Sequence, residues 1–169
     1  MITRHSNFKT PLNLINVYGE QESRVSTTEV QDRWGRILED IHRIERRNED
    51  IILLGDLNRH VGCDELGVRD NHAKISFGGN LLRALLDTGD YVCLNNSDKR
   101  EGGPFTRFDP SCPDNLTKQS CLDLVIVSKS LVPYVESILI DIQKDVFTNQ
   151  ADIKNQISNI RPLPHYCHI

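Results

Sequence analysis

The stretch Ile51-Ile52-Leu53-Leu54-Gly55-Asp56-Leu57-Asn58 (IILLGDLN, residues 51–58) decides the fold. Its apolar part, IILLG at 51–55, is too short for a helix and has no alternating polar positions. It reads as a strand buried on both faces, the kind found inside a sheet covered by helices. Gly55 closes the run, and Asp56 and Asn58 follow at once. Ligands of α/β folds gather at this place, beyond the carboxyl ends of strands.

Upstream, LNLINVY at 12–18 sets Leu12, Leu14 and Asn16 against Asn13, Ile15 and Val17 and runs into Gly19, which marks a second strand. Between the two strands Ser26 and Glu29 have the spacing of a capping box. Val30, Trp34, Ile37, Leu38, Ile41 and Ile44 then recur at helical spacing, with Arg36, Glu39, Asp40, Arg43 and Arg47 between them. This is a surface helix with one buried stripe. Downstream, the polar, glycine-containing segment from Asp56 to Gly79 reads as a long loop of the kind that carries function. Leu81, Leu82, Leu85 and Leu86 form a second helix closed by Gly89.

Strand-like runs follow: YVCLN at 91–95, PFTRF at 104–108, CLDLVIVS at 121–128 and VESILIDI at 135–142. From Gln143 to Ile169 the chain is mostly polar and without periodicity, the composition of a poorly ordered tail. The expected organisation is one domain over 1–142 and a polar tail over 143–169. The order of elements makes a mixed α/β layer structure with helices outside a sheet, and pattern alone leaves open whether there is one sheet or two packed together.

The chain has 169 residues, enough for one domain with its own core. Its net charge of −4 excludes a dedicated basic nucleic-acid binder, but it leaves open a protein that meets phosphodiesters through a bound cation. The cysteines Cys63, Cys93, Cys112, Cys121 and Cys167 are odd in number and form no CxxC. A disulfide framework and a zinc ribbon are therefore disfavoured, and an intracellular location, nuclear or cytoplasmic, is expected. The start, MITRHSNFKTP, has no apolar signal core and no run is long enough to span a bilayer, so no membrane association is expected.

Asp56 and Asn58, two apart, point to the same side of an extended chain and bring a carboxylate and an amide together. Such a pair can take a proton from water and hold an anionic intermediate, and it can equally cap a turn. Asp123 stands among apolar residues, where a carboxylate needs a cation, a histidine or several donors. Loop amides would satisfy it as well. Tyr18 and Thr106 bring hydroxyls to strand positions, able to bond a phosphate oxygen but taken singly ordinary packing residues.

The order INVYG at 15–19, ILLGDLN at 52–58, LLDTGDYVCLN at 85–95, PFTRF at 104–108 and SCLDLVIVS at 120–128 resembles the endonuclease/exonuclease/phosphatase superfamily. The resemblance is closest to the endonuclease domain that accompanies reverse transcriptases in non-LTR retrotransposons, and it runs from about Leu12 to Ile142. It implies a four-layer α/β sandwich, two packed mixed β-sheets flanked by helices, and cleavage of DNA phosphodiesters with Mg²⁺ or Mn²⁺. Asp56 would orient or deprotonate the attacking water and is the nearest candidate to touch the metal. Asn58 would bond that water and the phosphate, Tyr18 would place its phenol near the phosphate, and Asp123 would orient a histidine. Thr106, Arg107 and Ser120 would form the substrate-binding set. DNA and the reverse transcriptase domain of a parent polyprotein are the implied partners.

Members of that family carry an asparagine strand and a metal-binding glutamate strand upstream of NVY, and a Ser-Asp-His motif downstream of the last strand. Here QKDVFTNQADIKNQ follows VESILIDI, and the histidines His165 and His168 lie in the tail. The chain is thus expected to be a domain incomplete at both ends, with an uncovered edge beside the NVY strand, doubtful retention of its ion, and little or no activity. Two other readings compete with the endonuclease: a phosphatase of the same superfamily acting on a small phosphoester, and a non-catalytic remnant of a decayed retroelement.

Overall fold

The computed structural model describes residues 2–5, 10–62, 75–103, 105–107 and 119–140. The tail over 143–169 with His165 and His168, and the cysteines Cys63, Cys112 and Cys167, lie outside them. In chain order the elements are β1 (Ile2–His5), β2 (Leu12–Asn16), α1 (Thr27–Glu45), β3 (Asp50–Asp56), α2 (Phe77–Asp87), β4 (Tyr91–Cys93), β5 (Arg100–Gly102), β6 (Asp123–Ser128) and β7 (Ile138–Ile140). Five strands form one sheet in the order β1-β2-β3-β6-β4, and β5 with β7 forms a second, small one. The large sheet is mixed: β2 and β3 are parallel, while β1–β2, β3–β6 and β4–β6 are antiparallel. The protein is a mixed α/β structure with two sheets.

Parallel β2 and β3 require a crossover, and α1 provides it. Its capping box is complete: the Glu29 N–H donates to Ser26 Oγ, and the Ser26 N–H donates to the Glu29 carboxylate. Val30, Trp34, Ile41 and Ile44 are its buried stripe. α1 and α2 pack on each other, α1 on β3 and α2 on β4. Ile15, Leu53, Ile126 and Cys93 stand in register across four strands and join the helices in one core with Ile51, Leu82, Leu85, Leu86 and Leu124. Cys93 and Cys121 are both buried, and burial pushes the Cys93 thiol up to about 11. The other face of the sheet carries Leu14, Ile52 and Val92, each half-buried, in register around a buried Val127.

Several elements differ from the sequence reading. β1 pairs antiparallel along all of Ile2–His5 with β2, from Ile2↔Ile15 to His5↔Leu12, so the edge beside the NVY strand is covered. Those residues are too polar for a strand pattern, and the backbone ladder supplies what the side chains lack. α2 begins at Phe77 rather than after Gly79, because Ser76 caps it by accepting from the Gly79 N–H. The strand at 91–95 stops at Cys93 and turns into a 3₁₀ helix over Leu94–Asn96. Residues 129–134 form another 3₁₀ helix, and within VESILIDI the strand begins at Ile138 and is described to Ile140. Of PFTRF, residues 105–107 are described, and Arg107 makes a single antiparallel bridge with Ser120. No helix among the described residues is long and apolar enough to cross a membrane.

Candidate active site

β3 and β6 run antiparallel, and their register ends on Asp56 opposite Asp123. The Leu57 N–H donates to the Leu122 carbonyl at 2.9 Å one step further on. Hydrogen-bonded and open pairs alternate in an antiparallel ladder, so Asp56 and Asp123 form an open pair, the kind in which side chains lie closest. On the other side the parallel ladder continues past β2: Val17 N–H donates to Leu54 and Gly19 N–H to Asp56, at 2.9 and 2.6 Å. Tyr18 thus falls beside Asp56, and three candidate residues occupy neighbouring positions across three strands. Its phenol is 79% exposed.

Close backbone approach makes this row possible. A Cβ on Gly19 would sit 2.0 Å from the Leu57 carbonyl oxygen, and one on Gly55, at φ +134°, would sit 2.0 Å from that of Val17. Only glycine fits either position. After Asp56 the chain turns sharply. Asn58 adopts φ +48°, tolerated by asparagine, while its N–H donates to Asp56 Oδ1 at 3.0 Å. The turn-capping role of Asp56 is therefore real and uses one carboxylate oxygen. The Asn58 side-chain amide donates to the Gly19 carbonyl at 2.6 Å and ties the two loops together.

The Asp56 carboxyl is held above its ordinary value, first by burial and then by the Asp123 charge, against the opposing pull of the Asn58 backbone N–H, the Asn58 side chain and the Arg107 guanidinium. A cation beside the pair would act in the same direction as Arg107. Among the described residues, no hydrogen bond or ion pair to the Asp123 carboxylate is formed. No cluster of three or more His, Cys, Asp or Glu side chains converges among the described residues either. Mg²⁺ does not demand one: it keeps several waters and is held through one or two carboxylates plus substrate oxygens. Asp56 and Asp123 match that donor set.

Thr106 sits against the head of β6, where its Oγ1 accepts from the N–H groups of both Leu122 and Asp123 at 3.0 Å. A hydroxyl has two acceptor lone pairs and one proton. With both lone pairs occupied, the Thr106 proton is directed outward, and among the described residues no acceptor takes it. Arg107 is exposed, whereas Ser120 is 4% exposed and meets Arg107 and Thr106 through its main chain.

The sequence reading overlooked two buried polar residues here. Arg59, 6% exposed, donates to the carbonyls of Glu20 and Asn58 at 2.7 and 3.2 Å and braces the two loops. Asn95, 2% exposed, reaches β6 from the 3₁₀ helix. Its one visible signal is a polar residue ending an apolar strand run. No protein-family model matches the chain, and no curated protein matches it.

Proposed function

We propose that this chain is a metal-dependent phosphodiester hydrolase of the endonuclease/exonuclease/phosphatase type, acting on DNA as retroelement endonucleases do. The observation that carries the reading is the open cross-strand pair Asp56↔Asp123, at the carboxyl end of β3 and the amino end of β6. Around it stand Asn58, the exposed phenol of Tyr18 and the outward hydroxyl proton of Thr106. A mixed five-stranded sheet with two helices on it, and a second small sheet, is compatible with part of the expected four-layer sandwich.

Mg²⁺ or Mn²⁺ would be held by Asp56 and Asp123, and when bound the ion supplies charge that polarises the phosphate. The rest falls to the side chains. Asp56, with one oxygen fixed by the Asn58 N–H, presents the other to a water and accepts its proton. The Asn58 amide, which donates to the Gly19 carbonyl and bonds the Asp56 side chain, would turn its second proton to that water or the phosphate on binding. Thr106 and Tyr18 donate to phosphate oxygens, and Arg107 adds positive charge beside a site otherwise negative.

The rate should be low. The sequence holds no Ser-Asp-His triplet to set an imidazole against Asp123, and a general acid–base group contributes about 10² to 10⁴ in rate. Single-turnover nicking of supercoiled plasmid by excess protein tests the proposal. Slow nicking that requires Mg²⁺ or Mn²⁺, vanishes with chelator and drops to background in Asp56→Ala is the expected result. Nicking equally fast in Asp56→Ala, or none in either metal, would overturn it.

A further inference from the structure

β6 has β3 along one side and β4 along only part of the other. The β4–β6 pairing runs from Tyr91↔Ser128 to Cys93↔Ile126 and ends, because the chain turns into the 3₁₀ helix at Leu94. Carried two places further, the same register would set residue 95 opposite Leu124. The Asp123 carbonyl and the Val125 N–H, which flank Leu124, are then the next groups in need of a strand. The Asn95 side chain meets both: Nδ2 donates to the Asp123 carbonyl at 2.9 Å, and Oδ1 accepts from the Val125 N–H at 2.8 Å.

A carboxamide has the donor and acceptor of a peptide group, so one side chain stands in for two ladder bonds that the backbone has abandoned. Its orientation is fixed, since a flipped amide would oppose donor to donor and acceptor to acceptor. Nδ2 also lies 3.5 Å from Cys121 Sγ. On the other flank Thr106 takes the Asp123 N–H. Side chains from two separate segments thus hold the two peptide groups of Asp123, while β3 sets it opposite Asp56.

We propose that Asn95 is a positioning residue: it replaces the missing continuation of β4 and fixes Asp123 opposite Asp56. Its consequence for rate rests on the hydrolytic reading above, but its effect on the placement of Asp123 does not. Three variants test it. Asn95→Leu removes both polar atoms at similar volume. Asn95→Asp, whose buried carboxyl is held protonated, keeps one donor and one acceptor. Tyr91→Phe, at the far end of β4, controls for lost stability alone.

In samples with a cooperative melt, Asn95→Leu should speed exchange of the Val125 N–H about 100-fold and lower backbone order at 122–125, leaving 126–128 unchanged. Asn95→Asp should restore both, and Tyr91→Phe should alter neither. In single-turnover nicking, Asn95→Leu should lower the saturating rate about 10- to 100-fold at an unchanged half-saturating protein concentration, the cost of a misplaced group. An Asp123 as ordered in Asn95→Leu as in the wild type, or a rate loss matched by Tyr91→Phe, overturns the proposal. If Asn95→Leu does not fold, the wild type decides: its Asn95 amide protons should exchange slowly and couple through the hydrogen bond to the Asp123 carbonyl, and freely exchanging amide protons overturn the assignment. If Asp123 loosens as expected but the wild type does not nick, the hydrolytic reading fails and the positioning role stands.

Discussion

At the amino end of β3, Glu45, Glu49 and Asp50 line a groove of about 450 Å³ together with Asp90, Tyr91, Ser128 and Lys129. At the carboxyl end of the same strand, Asp56 and Asp123 face one another. Both ends are acidic, but at the first end Glu45, Glu49 and Asp50 are partnered, and among the described residues only the Asp90 carboxylate there has no donor. Tyr91 donates its hydroxyl to Glu45 at 2.6 Å, Asn13 donates to Glu49 at 3.0 Å with Arg47 at 3.2 Å, and Ser130 donates to Asp50. Asp56 is served by Asn58 alone, two residues on, through its backbone N–H and its side chain, and like charge sits across from it. Glu45 and Glu49 are instead tied to side chains of distant segments, Tyr91 and Asn13, so they link elements of the fold as Asp56 does not.

Substitutions at the two ends should therefore act on different quantities. The largest effect belongs to the carboxyl end, where Asp123→Asn should abolish the metal-dependent nicking, since it removes one of the two carboxylates that would hold the ion, while the melting temperature does not fall. A matching fall in stability would place Asp123 with the structural carboxylates. At the amino end Asn13→Leu takes a donor from the buried Glu49 carboxylate and from the Asp50 carbonyl. It should cost about 1–3 kcal/mol in urea unfolding and leave nicking by the folded protein unchanged.

Tyr91→Phe should cost about 1 kcal/mol at pH 7, and the cost should depend on pH. Burial raises the Glu45 carboxyl, but the bonds from Tyr91 and His42 outweigh it and hold the group below its ordinary 4.5. A depressed carboxyl stabilises the fold above its unfolded value and loses that contribution as pH falls through the folded one. The gap between wild type and Tyr91→Phe should close below about pH 4.5, as unfolding curves across pH would show.

Asp56→Asn gives the smallest change and the opposite sign. Its carboxyl lies above the ordinary 3.8, so ionisation costs the folded state as pH rises beyond that value. Removing the charge should stabilise the protein by about 0.2–1 kcal/mol at pH 7, the scale of a like-charge cross-strand pair, and by nothing below about pH 3.8. A destabilised Asp56→Asn would mean that the two carboxylates do not repel.

Elements with side-chain periodicity were legible in the sequence. α1 follows from its apolar stripe and from Ser26 and Glu29, and β3 from IILLG, because burial and capping are local chemistry. β1 was not legible, since ITRH shows no run of apolar residues, and it is held through backbone pairing with β2. The candidate site was legible as separate motifs around Asp56, Asn58 and Asp123. Their meeting depends on an antiparallel register that no local pattern states, and Asn95 depends on the early end of β4. A side chain that replaces a strand leaves no periodic trace.

Mn²⁺ titrated into ¹⁵N-labelled protein compares the two ends in one experiment, since the ion broadens amide signals near wherever it binds. Broadening at low Mn²⁺ should centre on Leu57, Asn58, Leu122 and Leu124 and disappear in Asp56→Asn. Broadening centred on Asp50, Asp90 and Lys129, or spread evenly over both ends, would contradict the claim that Asp56 and Asp123 form the cation site.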